Sequence, residues 1–305
     1  ELGEYDVLIK NEAFTIHQLD IILNKFSYSL IGPKRKGMGC DFAGSVVKAG
    51  SKSKFVQGDM VYGFIFNFFL PIGTAGEYCV INEKTAPEIN KIPRGMSFAE
   101  AAAMVVTSCT AYQTLREHKD LKGKNVLVLG AGTCVGTYSV QLAKHFYGAN
   151  KVVATCSPRS FERINSYGAD VIVDYTKGDE FKSNSLLEFV KENGKFDLVI
   201  DTVRDISIGN RSIEFIKGND ENGVLAVING SSSNDYENIH FIDVLPTWDS
   251  TKSWLKSMWS NSNPKVKIIT FRGNEGFGET MEKLWNEKKL MIPIDSEFNA
   301  MTQYK

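Results

Sequence analysis

The sequence predicts an α/β protein of two domains, a doubly wound parallel sheet and a smaller antiparallel β-barrel. Three observations carry this. Residues 1 to about 105 form short β-rich runs separated by glycine turns. From Ser108 onward, short apolar runs alternate with segments of helical period. A glycine string stands between the first of those later runs and a helix. At 305 residues, a scale of about 150 residues per domain gives two, enough to bury roughly 75% of the unfolded surface without disulfide or metal staples.

In the first domain the strands are Val7 to Ile9, Phe42 to Lys48 and Met60 to Phe66, punctuated by Gly32-Pro33, Gly50-Ser51, Gly58-Asp59 and Gly73. The barrel is assigned residues 1–107 with a returning segment at 294–305, and the parallel-sheet domain residues 108–293. The most apolar run, Met60 to Ile72, includes Gly63, Asn67 and Pro71. It falls short of the about 20 residues needed to span a bilayer. It reads as a buried strand followed by an aromatic loop, with a membrane- or partner-docking patch as the alternative.

In the second domain the strands are Asn125 to Gly130, Lys151 to Thr155, Val171 to Asp174, Phe196 to Asp201 and Gly223 to Asn229. Between the first two, Val135, Tyr138, Leu142 and Phe146 recur every three or four residues and mark one helix face. Continuous apolar strands alternating with helices imply a parallel sheet covered on both sides.

Charge and cysteine usage narrow the function. With 35 basic and 36 acidic residues and no block of one sign, there is no electrostatic footprint for nucleic acid. Cys40, Cys79, Cys109, Cys134 and Cys156 are too scattered for a local zinc knuckle or redox pair, and an odd set fits a reducing, cytoplasmic setting. His17, His118, His145 and His240 are equally dispersed. No metal is expected.

The glycine string Gly130-Ala131-Gly132-Thr133-Cys134-Val135-Gly136 follows a strand and opens a helix, the setting a dinucleotide fingerprint requires. Small residues let the backbone approach a pyrophosphate, and the helix N-terminus offers oriented N–H groups with partial positive charge. The end of the second strand discriminates the cofactor, because an acidic residue there binds the ribose hydroxyls of NAD. Thr155-Cys156-Ser157-Pro158-Arg159 has none, and instead supplies a hydroxyl and a guanidinium suited to a 2′-phosphate. Arg159 also reads as a solvated helix-start cation, in which case Arg163, one turn on, takes its place.

The stretch "VLVLGAGTCVGTYSVQLAK" (126–144), with "TAYQTL" (110–115), "SYGADVIVDYT" (166–176) and "FDLVIDTV" (196–203), resembles the medium-chain dehydrogenase/reductase superfamily. "GMGCDFAGSVVKAG" (37–50), "FVQGDMVYGF" (55–64) and "GTAGEYCVI" (73–81) extend the resemblance over nearly the whole chain. Cys40-Asp41 stands where the zinc enzymes carry His-Glu, and their four-cysteine lobe is missing, so the zinc-free quinone oxidoreductase and enone reductase branch is the closer match.

That resemblance implies a Rossmann domain with a GroES-like barrel and hydride transfer from NADPH to a small-molecule quinone or enone, without zinc. It places Thr110 at the cofactor near the domain hinge, Ala131, Gly132, Thr133, Val135 and Gly136 at the pyrophosphate, and Ser157, Arg159 and Tyr175 at the 2′-phosphate. Tyr28 falls in the substrate cleft, where a phenol hydrogen-bonds a carbonyl oxygen. His17 replaces the asparagine of the branch's Asn-Pro-x-Asp, of which Asp20 alone matches. Thr133 and Cys134 replace two glycines of the turn, and Arg204 replaces the glycine of the branch's "DTVG"; these departures imply weakened or lost cofactor binding. The family also carries segments before Tyr5 and after Phe298–Lys305 that this sequence does not reach.

The chain is similar, too, to fungal proteins implicated in targeting the plasma-membrane proton ATPase, which share the fold and eroded cofactor motifs. That likeness implies a non-enzymatic binding or trafficking factor, peripheral to membranes, with a membrane-protein partner docking on "FIFNFFLPI" (64–72). Either reading is compatible with a homo-oligomer.

Overall fold

The computed structural model describes residues 1–16, 20, 37–65, 73–118, 120–228, 262–269 and 275–298. The chain divides into two compact units, Glu1–Cys109 with Gly273–Lys305, and Thr110–Arg272. The return to the first unit therefore comes at Gly273, earlier than the 294 assigned from the sequence, because the helix Phe277–Asn286 belongs with the first unit. Its Trp285 Nε1 donates to the Arg94 carbonyl at 3.1 Å, and a Cβ on its Gly278 would lie 2.3 Å from Asn90 Oδ1.

In the first unit, β1 (Asp6–Phe14), β2 (Asp41–Ala49), β3 (Met60–Phe64), β4 (Tyr78–Asn82) and β5 (Glu88–Lys91) form an antiparallel sheet in the order β4-β1-β2-β3-β5. The two-residue period is plain in β4, where Cys79 and Ile81 are buried while Tyr78 and Val80 face out. Val7, Ile9, Phe42, Val46, Val61, Ile81 and Ile89 close one core. The β1–β2 register shifts at Leu8/Ile9 and Asn11/Ala13, irregularities of the kind that bend a sheet. α1 (Phe98–Leu115) opens on a reciprocal cap. Glu100 takes the Ser97 amide at 2.8 Å and Ser97 Oγ takes the Glu100 amide at 3.2 Å.

The second unit contains β6 (Asn125–Leu129), α2 (Cys134–Gln141), β7 (Lys151–Cys156), α3 (Phe161–Ser166), β8 (Val171–Asp174), α4 (Asp179–Asn193), β9 (Leu198–Asp201), α5 (Ile206–Asn210), α6 (Ser212–Phe215), β10 (Val224–Ile228) and β11 (Lys265–Ile269). The helix Phe277–Asn286 of the first unit is α7. The sheet is parallel throughout, in the order β11-β10-β9-β6-β7-β8. Counted from its first strand, β6, this is the doubly wound order 3-2-1-4-5-6. β6 is buried on both faces, Val126 and Val128 on one and Leu127 and Leu129 on the other. On the second face Leu127 and Leu129 join Val199, Leu186, Phe189, Phe196, Ile208 and Phe215 in one core. The expected helix face is real but changes form, since a π turn over Leu142–Phe146 follows α2.

Phe189 and Phe196 stack with ring centroids 5.0 Å apart and planes 1° from parallel. Both are buried, Phe196 completely. Phe196→Ala is expected to cost about 3–5 kcal/mol, as a lost aromatic in a core that cannot collapse does. Urea unfolding followed by circular dichroism checks it; a loss under about 1 kcal/mol would mean this core repacks freely.

Candidate functional site

In a sheet of this order the crevice lies at the carboxyl ends of the strands where the winding reverses, here between β6 and β9. Gly130 leaves β6 with φ +75°, and a Cβ there would meet Val203 Cγ1 at 2.4 Å. Gly136, in the first turn of α2, is needed for a different reason. Its Cβ would lie 2.3 Å from the Gly130 carbonyl oxygen, so only hydrogen lets the helix start against the strand end. Ala131 is fully buried and donates its amide to the Thr155 carbonyl at 2.8 Å, while the Gly130 amide goes to Thr155 Oγ1 at 3.0 Å. The turn is thus fastened to β7.

Thr133 is the N-cap of α2, in extended backbone at φ −72°, ψ 160°. Its hydroxyl oxygen accepts the Gly136 amide at 3.0 Å. The β-carbon there strains nothing, because any residue adopts that conformation. The amides of Cys134 and Val135, in the first turn, have no intrahelical acceptor, and that of Cys134 bonds its own thiol.

The loop after β9 closes the other wall. Thr202 Oγ1 lies 3.0 Å from Thr133 Oγ1 and donates toward the Leu129 and Gly130 carbonyls at 2.8 and 3.0 Å. Asp201, 4% exposed, accepts the amides of Val203 and Asp205 at 3.0 and 2.9 Å, and the Arg204 amide as well. Asp205 caps α5 through the Ile208 amide at 3.1 Å and holds the buried Lys182 ammonium, which also meets Asp179 at 2.8 Å. Arg204 has φ +53°, the left-handed region. This is why the family pattern wants glycine at that position: the backbone demands it, and arginine accepts a strain of about 1 kcal/mol. Burial pulls the Arg204 guanidinium below its usual range, and the Asp201 carboxylate opposes that.

Cys156 of β7 pairs with Asp174 of β8, so Ser157 and Tyr175 leave adjacent strands at the same edge of the sheet. Ser157 starts the 3₁₀ turn Pro158–Ser160, which carries the exposed Arg159; Tyr175 is 49% exposed. Ser160 packs on the glycine turn, its Oγ 3.2 Å from where a Gly132 Cβ would stand. The guanidinium that reaches the turn is that of Arg163, whose NH2 lies 3.4 Å from the Gly132 carbonyl oxygen. Thr110 is buried in α1, its carbonyl taken by the Thr114 hydroxyl at 2.8 Å.

His17, Tyr28 and the aromatic residues Phe66, Phe68 and Phe69 lie outside the described residues. Cys40 and Asp41 are buried, with Asp41 Oδ2 accepting the Thr15 hydroxyl at 2.9 Å and the Asp41 carbonyl that of Thr74 at 2.7 Å. Among the described residues no three histidine, cysteine or acidic side chains gather as a metal site, and no helix is long and apolar enough to cross a membrane. Sequence reasoning passed over the roles of Asp201 and Thr202, although both stand in the "FDLVIDTV" run; their work is done through backbone amides and carbonyls that no spacing rule displays.

A glycine turn at the switch point of a doubly wound sheet, in a chain that also carries an antiparallel unit, defines a two-unit dehydrogenase architecture. A model of the alcohol dehydrogenase GroES-like domain matches residues 3–110. The chain is 37% identical over 238 residues to the 2-methylene-furan-3-one reductase of Solanum lycopersicum, covering 76% of this chain and 56% of that enzyme. The match thus spans little more than half the length of the tomato reductase. Protein YIM1 of Saccharomyces cerevisiae is 29% identical over 318 residues, covering 98% of this chain and 85% of that one. The Escherichia coli quinone oxidoreductase complexed with NADPH superposes with a TM-score of 0.69 at 19% identity, over 95% of this chain and 82% of that one, a likeness of fold. A GroES-like antiparallel unit together with a parallel Rossmann-type sheet is the two-domain fold of the medium-chain dehydrogenase/reductases, and the chain is similar to an enone reductase and, in fold, to quinone oxidoreductases.

Burial pushes Asp201 up to about 6, the neighbouring Asp205 adds to the rise, and the three loop amides oppose it. The folded value thus lies above the unfolded one of about 3.9, so between these two pH values the native state binds the extra proton. Stability from this group is greatest below about pH 4, declines as pH rises through 6, and is level beyond. Relative to Asp201→Asn, the wild type should lose about 2–3 kcal/mol of unfolding free energy between pH 4 and 7. Parallel pH profiles from chemical denaturation would show that the carboxyl ionises in the fold without penalty.

Proposed function

We propose that the chain is an NADPH-dependent, zinc-free oxidoreductase that reduces a quinone or the activated double bond of an enone. The observation that carries this is the glycine turn itself: a strand end and a helix start in van der Waals contact at Gly136, with Cys134 and Val135 opening the helix at the switch point. Two relatives point the same way. The tomato protein is named for an enone, a ring ketone conjugated to a methylene carbon, and the E. coli structure holds NADPH.

In this reading the Cys134 and Val135 amides hold the pyrophosphate, and Ser157, Arg159 and Tyr175 receive the 2′-phosphate. No carboxylate follows β7 to repel it. Arg163 adds positive charge beside the turn, and Thr110 faces the nicotinamide side. NADPH supplies the hydride. The Tyr28 phenol donates a hydrogen bond to the substrate carbonyl oxygen, drawing charge from the β-carbon that hydride enters, and His17 hydrogen-bonds the carboxamide that an asparagine holds elsewhere in the branch. Cys40-Asp41 in place of His-Glu leaves polarisation to hydrogen bonds, without zinc.

Isothermal titration with NADPH and NADH tests the reading. NADPH should bind at least tenfold more tightly, and Arg159→Ala should erase most of that preference while barely changing NADH. Equal losses for both nucleotides would remove Arg159 from the phosphate site and turn attention to Arg163→Ala.

The side chains of Thr133 and Cys134 flank the Cys134 and Val135 amides, and one charge-assisted hydrogen bond forgone there costs roughly 1.5–3 kcal/mol. Because the Thr133 hydroxyl is already bonded to the Gly136 amide, the side chain left to crowd the phosphate is that of Cys134. The double change Thr133→Gly, Cys134→Gly should therefore tighten NADPH by about 10- to 100-fold, chiefly through position 134, and raise quinone turnover from a low level. An unchanged affinity in a protein that already binds at micromolar concentration would show that the turn is not impaired. If neither form binds either nucleotide, the membrane-partner reading takes precedence, with charged replacements of Phe66, Phe68 and Phe69 as its test.

A further inference from the structure

We propose that Thr202 is a positioning residue for the nucleotide turn: it keeps the Thr133 hydroxyl turned inward on the Gly136 amide and so keeps that side chain out of the phosphate path. The inference rests on the dinucleotide reading above and deepens it. In this turn Thr133 stands where the branch carries glycine, so the chain has a side chain to park at the point of closest cofactor approach. The parking place is built from both walls of the crevice.

Thr133 Oγ1 has two polar neighbours, the Gly136 amide at 3.0 Å and Thr202 Oγ1 at 3.0 Å. Thr202 Oγ1 also lies 2.8 Å from the Leu129 carbonyl and 3.0 Å from the Gly130 carbonyl. One hydroxyl has one proton. If Thr202 spends its proton on a carbonyl, its oxygen accepts from Thr133, whose own oxygen still accepts from Gly136. With two carbonyls beside Thr202, that is the arrangement in which every group has a partner, and it holds Thr133 in one rotamer. Were Thr133 to turn away, its hydroxyl or methyl would swing toward the Cys134 and Val135 amides, where an incoming phosphate oxygen must sit.

Thr202 is itself held. The loop that follows it is tied by its amides to the Asp201 carboxylate, and the next carboxylate, Asp205, is fixed on the α5 cap and on Lys182. Neither Asp201 nor Lys182 reaches the turn directly. They reach it through Thr202, which links the end of β9 to the start of α2 across the switch point.

The test is a double-mutant cycle on the full chain, with two readouts. Thr202→Val removes the hydroxyl and keeps the shape. It should speed amide exchange at Gly136 at least tenfold while leaving Val152 to Ala154 of β7 unchanged, and should weaken NADPH three- to tenfold. Thr202→Ser should restore both. In the Thr133→Gly background, Thr202→Val should leave NADPH affinity unchanged, because nothing remains to be parked; a merely structural role would cost the same in both backgrounds. Unchanged exchange at Gly136 overturns the proposal, as does faster exchange with unaltered NADPH affinity in the Thr133 background. If exchange accelerates but the wild type binds neither NADPH nor 2′,5′-ADP, the dinucleotide reading falls, and the cofactor role of Thr202 falls with it while the contact to Thr133 stands.

Discussion

The rest of the second unit depends on one close approach, that of Gly136 to the Gly130 carbonyl. A β-carbon at 136 would stand 2.3 Å from that oxygen, a distance no packing adjustment absorbs when the partner is backbone. Because hydrogen is there instead, α2 begins directly over the end of β6, at the point where the sheet order reverses. The left-handed Gly130, the buried Ala131 and the two bonds from the turn to Thr155 all serve that placement. The binding chemistry proposed for this place is thus a by-product of how tightly helix and strand are packed.

The opposite wall obeys a different constraint. A loop leaving a buried parallel strand carries amides that must be satisfied, and here a single carboxylate takes three of them. That solution buries charge, which raises Asp201, and the neighbouring Arg204 has its backbone where glycine would be easier. The wall is costly in electrostatics and backbone strain, and it adjoins the crevice in which the proposed cofactor would lie. Strain retained beside a candidate site, with none needed at Thr133 or Cys134, locates where this chain has kept an expensive geometry.

Much of this was legible from residues alone. The five apolar runs of the second half all became strands of the parallel sheet, since buried strands advertise themselves by continuous hydrophobicity. β4 and β5 were not assigned as strands, because "YCVI" is uniformly apolar in sequence and alternates only in burial, while β5 reads only "EINK". α7 was placed with the wrong unit: Phe277, Met281 and Leu284 mark a buried stripe, but a stripe does not say which sheet it covers. At the site, the glycine spacing and the missing acid after β7 were visible, while Thr133's work as an N-cap was not. Substitution of a glycine reads as damage in a motif, and only the dihedral angles show that this position never required one.

That last point bears on how departures from a family pattern are to be weighed. At Arg204 the pattern's glycine reflects the backbone, so its loss carries a conformational cost whatever the ligand. At Thr133 the backbone makes no such demand, so the loss of glycine costs the fold nothing and even supplies a cap. The two substitutions, equal in a sequence comparison, therefore differ in cost: one strains the backbone and the other does not, and under the proposed function the second acts on affinity alone. A hydroxyl at 133 that is already engaged by Gly136 and Thr202 is also less of an obstacle than the bare loss of glycine suggests, because the same bonds that satisfy it aim it away from the Cys134 and Val135 amides. The departures from the pattern thus describe a turn rebuilt around a threonine pair, with the helix start intact.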